Sequence, residues 1–101
     1  MAAVPKPDVV ITNPTHYAVA MKYDPEKMSA PIVVAKGADL IALAIRKLAD
    51  EHDVPIVENP PLARALYASV EVDQEIPTEH YRAVAEIISY VFQLKGRVVR
   101  N

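Results

Sequence analysis

The chain has 101 residues, of which 51% are hydrophobic and 24% charged, with a formal net charge of −2 at pH 7. That is one domain's worth of chain with enough apolar content for a packed core, which argues against disorder. It holds no basic excess to neutralise phosphates, no cysteine for disulfide, thiolate or metal–thiolate chemistry, and no apolar run of bilayer length.

Only 2 glycines but 9 prolines punctuate the sequence, so proline sets most of the breaks. Residues 1–8 have linker composition and read as the remnant of a linker from a larger protein, with the domain proper at 9–101. Asp8-Val9-Val10-Ile11-Thr12 is β-branched and continuous, and predicts a first strand. Asn13-Pro14-Thr15 interrupts it. His16 to Tyr23 predicts a second strand, closed by the turn residues Asp24-Pro25-Glu26-Lys27. Ala30 to Ala35 predicts a third, and its unbroken hydrophobicity suggests a central place in a sheet. Gly37 then breaks the chain before a helix from about Ala38 to His52. Its expected core stripe is Leu40, Ile41, Ala44, Ile45 and Leu48.

Pro55 to Glu58 predicts a fourth, short strand. Strand, helix, strand over this length is a right-handed βαβ crossover with the third and fourth strands parallel. Asn59-Pro60-Pro61 is a stiff connector, with Pro61 at the first position of a short helix, Leu62 to Ser69. The last helix starts at Pro77-Thr78-Glu79 and shows Tyr81, Val84, Ala85, Ile88, Val91 and Phe92 on one stripe. Lys95-Gly96 is its expected stop. The fold class expected is α/β: a small four-stranded mixed sheet with a βαβ crossover, covered by about three helices.

Most familiar chemistries find no support. His16, His52 and His80 fall on separate elements with no ligand spacing, so no metal is expected. Lys36-Gly37-Ala38-Asp39 joins a strand to a helix, but one glycine followed by an acid makes a poor phosphate cradle, and no cofactor is expected. Ser29, Ser69 and Ser89 lack a nucleophile signature.

Asn13-Pro14 is different. Ordinary asparagine deamidation needs the next residue's backbone N–H, which proline lacks. The open route is attack by the Asn13 side-chain nitrogen on its own carbonyl carbon. A succinimide closes and Pro14 leaves as a new N-terminus. Proline favours position i+1 of a type I turn, in which the His16 N–H donates to the Asn13 carbonyl and polarises it. Histidine changes charge nearest neutral pH, so the His16 imidazole is a candidate proton carrier. The second copy, Asn59-Pro60, puts Pro61 where a type I turn disfavours it; Asn59 is expected to be extended and not to cut. A half-life of minutes instead of a year lowers the barrier by about 7 kcal/mol, within the reach of an oriented intramolecular nucleophile. A cut of this kind happens once per chain, so the protein is not expected to be an enzyme.

The segment Val9-Val10-Ile11-Thr12-Asn13-Pro14-Thr15-His16-Tyr17-Ala18-Val19-Ala20 resembles the export-switch family of flagellar and injectisome type III secretion, the FlhB/YscU/SpaS type. The resemblance continues through Met28-Ser29-Ala30-Pro31, Val34-Ala35-Lys36-Gly37-Ala38 and the run from Val54 to Tyr67, and ends in the final helix. Tyr17-Ala18-Val19-Ala20 and Gln93-Leu94-Lys95 look more flagellar than injectisome-like. The resemblance implies a cytoplasmic domain attached to the inner membrane through a missing N-terminal domain. It implies self-cleavage between Asn13 and Pro14, carried by Asn13, Pro14, Thr15 and His16, with the two pieces remaining one folded unit. The cut would permit export to switch from rod- and hook-type to filament-type substrates. The implied partners are rod/hook-type export substrates, the hook-length control protein and other export components. An alternative is a docking module for substrates or chaperones in which the cut only relieves a steric block. Its candidate surface is Pro60, Pro61, Leu62, Arg64 and Tyr67.

Overall fold

The computed structural model describes residues 6–14 and 16–94. Its elements in chain order are β1 (Val9–Asn13), β2 (Tyr17–Lys22), β3 (Ile32–Ala38), α1 (Leu40–Glu51), β4 (Ile56–Glu58) and α2 (Pro60–Ser69). A 3-10 turn (Thr78–His80) then leads into α3 (Tyr81–Leu94). The α/β class and the four-stranded mixed sheet agree with the expectation.

The strand order is β3-β2-β1-β4. β1 and β2 form the antiparallel centre, β3 joins β2 antiparallel, and β4 lies parallel to β1. Two corrections follow. β3 is an edge strand and not a central one. It is apolar because both of its faces are covered, Val33 by the α2/α3 core and Val34 and Ala35 by the α1 core. The start of its open edge is bonded to the segment around Asp73 to Ile76: Val33 N–H donates to Gln74 O at 3.0 Å, Asp73 N–H to Val33 O at 2.7 Å and Ile76 N–H to Pro31 O at 3.0 Å. The crossover through α1 therefore passes two intervening strands. β3 and β4 run in the same direction, as expected, but lie at opposite sides of the sheet.

Gly37 does not break β3; it pairs with Ala18 inside the strand. Its missing side chain is needed there. A Cβ at Gly37 would stand 2.1 Å from Ile41 Cγ2 and 2.7 Å from Ile41 Cβ. The break falls instead at Asp39, whose φ of 52° turns the chain into α1.

Strand alternation divides the core between two faces. Val9, Ile11, Val19, Met21 and Val33 pack with Leu62, Ala63 and Leu66 of α2 and with Val84, Ile88 and Val91 of α3. Val10, Ala18 and Ala20 pack on the other face with Ala42 and Ala49 of α1. The α1 stripe is the main sequence reading that fails. Leu40 is 80% exposed and Ile41, Leu43, Ala44 and Leu48 are exposed as well, while Ala42 and Ala49 are buried and Ile45 is partly buried. Ala42, Ile45 and Ala49 form a second stripe of the same period, and alanine lets the helix approach the sheet closely. In α3 the reading holds for Val84, Ile88 and Val91, whereas Tyr81 and Ala85 are exposed. Lys95-Gly96 lies outside the described residues.

The corrected burial pattern has a direct check by urea denaturation. Leu66→Ala should lower stability by about 2–5 kcal/mol, as buried leucine truncations do. Leu40→Ala should stay within about 0.5 kcal/mol of the parent. Gly37→Ala should destabilise by about 1–3 kcal/mol through overpacking against Ile41.

Candidate functional site: the Asn13–Pro14 turn

Asn13 is the last residue of β1 and Tyr17, its paired neighbour, the first of β2. Pro14 and His16 lie in the turn between them, and Thr15 lies outside the described residues. The strand holding Asn13 is among the most restrained parts of the fold. Val9, Val10 and Ile11 are buried, and β1 is bonded on both sides, to β2 and to β4. The His16 N–H donates to the Asn13 carbonyl oxygen at 2.8 Å. This is the bond a turn beginning at Asn13 requires, and it draws electron density from the carbonyl carbon that the Asn13 side chain would attack.

The far side of the turn is tied to the β3–α1 junction. Asp39 N–H donates to His16 O at 2.9 Å, and His16 Nδ1 stands 3.9 Å from Asp39 Oδ1. Both side chains are largely exposed, so solvent screens that pairing. The Arg46 guanidinium, from the middle of α1, donates through Nη1 to the Pro14 carbonyl. Asp39 thus supports the turn, and it makes no side-chain cap on α1.

The second asparagine–proline step is next to the first. Thr12 pairs with Glu58, and Asn59 N–H donates to Thr12 O at 2.9 Å. Asn59 has φ −152° and ψ 85°, and its side-chain oxygen accepts from Leu62 N–H at 3.3 Å. It is the N-cap of α2, which begins at Pro60 and not after Pro61. Its side chain is therefore engaged in holding a helix, and its carbonyl accepts from Ala63 N–H, four residues on, at 2.9 Å as part of that helix, and not from the residue three on as at Asn13. Sequence spacing alone does not reveal that the two steps share one end of the sheet.

The α2 residues divide. Leu62 is buried in the core, so it belongs to no partner surface, a correction that follows from its packing beneath the helix against the sheet. Pro61 and Arg64 are exposed; Pro60 and Tyr67 are partly buried. Tyr67 is occupied internally. Its ring lies 4.6 Å from that of Tyr17, Lys36 Nζ stands 5.0 Å above it, and the Tyr67 carbonyl accepts from Lys36 Nζ at 2.9 Å. Sequence reasoning missed Arg46 altogether and weighed Lys36 and Asp39 only as a phosphate cradle; all three reach this end of the sheet through the fold. Among the described residues no cluster of three or more His, Asp or Glu side chains is arranged to hold a metal ion, and no helix is long and apolar enough to cross a membrane.

A family model described as the FlhB HrpN YscU SpaS family matches residues 1–91. The chain belongs to that family. It is 62% identical over 98 residues to the flagellar biosynthetic protein FlhB of Bacillus subtilis, covering 97% of this chain and 27% of that protein. Against FlhB of Salmonella typhimurium it is 62% identical over 95 residues, covering 94% of this chain and 25% of that one. The chain thus spans about a quarter of these relatives' length. The crystal structure of the cytoplasmic domain of FlhB from Shewanella putrefaciens superposes with a TM-score of 0.85 at 50% identity, covering 91% of this chain and 70% of that one. An EscU C-terminal domain with a substituted asparagine superposes with a TM-score of 0.82 at 36% identity, covering 85% of this chain and 92% of that one. In a further EscU structure the substituted residue is the proline directly after that asparagine. Others carry changes at an arginine and a tyrosine that follow the asparagine by the same intervals as Arg64 and Tyr67 follow Asn13.

The capping role of Asn59 separates the two family-like steps experimentally. Asn59→Ala should lower thermal stability by about 1 kcal/mol, the usual worth of an N-cap. The mass pattern of the purified chain should match the parent's, since no cut is expected at Asn59-Pro60.

Proposed function

We propose that this chain is the cytoplasmic domain of a flagellar type III export component that cuts itself between Asn13 and Pro14 and so permits export to pass from rod/hook to filament substrates. The observation that carries the reading is the 2.8 Å bond from His16 N–H to the carbonyl of Asn13, at the end of a strand that is bonded on both sides up to Thr12. The family assignment supports the export context, and the solved relatives with substitutions at an asparagine and its following proline support the place.

The chemistry balances without water. Asn13 Nδ2 forms a bond to the Asn13 carbonyl carbon while the bond from that carbon to the Pro14 nitrogen breaks. One proton leaves the attacking amide and one arrives on the Pro14 nitrogen, with the exposed His16 imidazole as the carrier at hand. The products are a C-terminal succinimide and a free proline amine; water opens the succinimide later. Because it acts once on itself, the domain is not an enzyme in the sense of turnover.

Retention of the first piece follows from the sheet. A piece ending at Asn13 keeps its ladder to β2 and β4, and Asp8 adds a bond from its N–H to Met21 O at 2.8 Å and one from Tyr23 N–H to its carboxylate at 2.8 Å. What the cut frees is the turn, so two discrete surfaces become available at an unchanged core. The implied surroundings are the cytoplasmic face of the inner membrane, reached through an N-terminal membrane domain. Rod/hook-type substrates, the hook-length control protein and other export components are the partners.

A second reading, docking of export substrates, is favoured by a separate feature. An apolar groove of about 440 Å³ lies between the β2–β3 connection and α3, lined by Tyr23, Ala30, Pro31, Tyr81, Ala85 and Ile88. Its chemistry fits an apolar side chain of an extended substrate segment. The groove is a candidate surface for that reading beside the exposed α2 residues Pro61 and Arg64.

Asn13→Ala removes the attacking nitrogen, so the folded variant should give a single intact mass where the parent gives two co-eluting pieces. A variant still cut at the same bond would refute the asparagine mechanism. In a pulldown with rod/hook-type substrates, stronger or weaker capture by the cut form supports the switch; equal capture by both forms favours docking alone.

A further inference from the structure

We infer that Arg46 is a positioning residue for the cut, an inference that rests on the self-cleavage reading above. Arg46 lies 32 residues beyond Pro14, on α1, and its Nη1 donates to the Pro14 carbonyl. The side chain is partly buried, and its Nε is buried with no acceptor. Among the described residues no carboxylate pairs with it. A guanidinium cannot shed its charge, and placing it away from water is unfavourable unless an acceptor compensates. Among the described residues the acceptor supplied is the Pro14 carbonyl. Nothing in the packing of α1 calls for an arginine there, because α1 meets the sheet through Ala42 and Ala49. The polar reason for Arg46 in this place is the turn.

The geometry assigns it a task. The leaving group is the Pro14 nitrogen, and the group Arg46 holds is the carbonyl of that same residue. His16 N–H fixes one carbonyl of the turn and Arg46 the next, from opposite ends of the Pro14 residue. With both held, the peptide between Asn13 and Pro14 is restrained at its two sides, and the Asn13 amide has a stationary carbon to approach. α1 is a suitable arm, since it is packed on β2 and β3 and does not belong to the β1–β2 turn. Loss of one restraint leaves the strand end intact but widens the range of turn geometries, a change that slows intramolecular attack by up to about a hundredfold.

The test is the half-time of cutting, followed by mass after pulsed cell-free synthesis of the parent, Arg46→Gln, Arg46→Met and Arg46→Lys. Arg82→Gln, on the exposed face of α3, is the control and should cut at the parental rate. We expect Arg46→Gln and Arg46→Met to cut about ten- to a hundredfold more slowly, with Arg46→Lys recovering part of the rate because it keeps a charged donor. Thermal melting reports folding, and Arg46→Met is included because an unbranched apolar chain suits a partly buried place should Arg46→Gln fail to fold. Folded variants that all cut at the parental rate would overturn the inference while leaving the self-cleavage reading intact. Equal slowing of all three, with no recovery by lysine, would also overturn it and assign Arg46 a packing role. A parent that does not cut would instead remove the reading on which the inference rests.

Discussion

β1 carries the account. It lies at the centre of the sheet with an antiparallel neighbour on one side and a parallel one on the other, and its side chains enter both cores. A strand placed in this way has little freedom at its end. Asn13 is that end, so its carbonyl stays where the sheet puts it, and what must still be oriented for attack is the asparagine side chain. The same restraint explains how a broken main chain can leave a folded domain. Most of the bonds holding Val9 to Asn13 run sideways to other strands and do not depend on the peptide link to Pro14.

Around the turn, the contacts come from distant parts of the chain. Asp39 reaches His16 from the β3–α1 junction, Arg46 reaches Pro14 from the body of α1, and Asn59 reaches Thr12 from the end of β4. Tyr17, the first residue after the turn, stacks on Tyr67, which Lys36 holds from the edge strand. A displacement of the turn after a cut would break contacts with α1 while leaving the two cores closed. That separation between a firm sheet and a supported, detachable turn is what a two-state element needs.

Much of this was legible in the sequence, and what was not has identifiable causes. The β-branched run Val9 to Thr12 reads as a strand because local preference and tertiary role agree. The proline after Asn13 bears on the turn and on the proposed chemistry through two different properties: its ring fixes φ at the value a turn needs there, and its missing N–H closes the ordinary deamidation route. Strand order was less accessible, since β3 is covered on both faces by helices as a central strand would be, and no local pattern shows that its outer edge meets only the 73–76 segment. In α1 two stripes of equal period compete. The larger residues Leu40, Ile41 and Leu48 suggested the wrong face, because close approach to the sheet selected Ala42 and Ala49. Arg46 shows no signal at all in sequence, as its partner lies 32 residues away.

The most direct test of the central claim is the mass of freshly purified protein under denaturing conditions. Two species parting between Asn13 and Pro14 are expected, the shorter one at first lighter by one water than its acid form and gaining that water on standing. A single intact species from well-folded protein would contradict it.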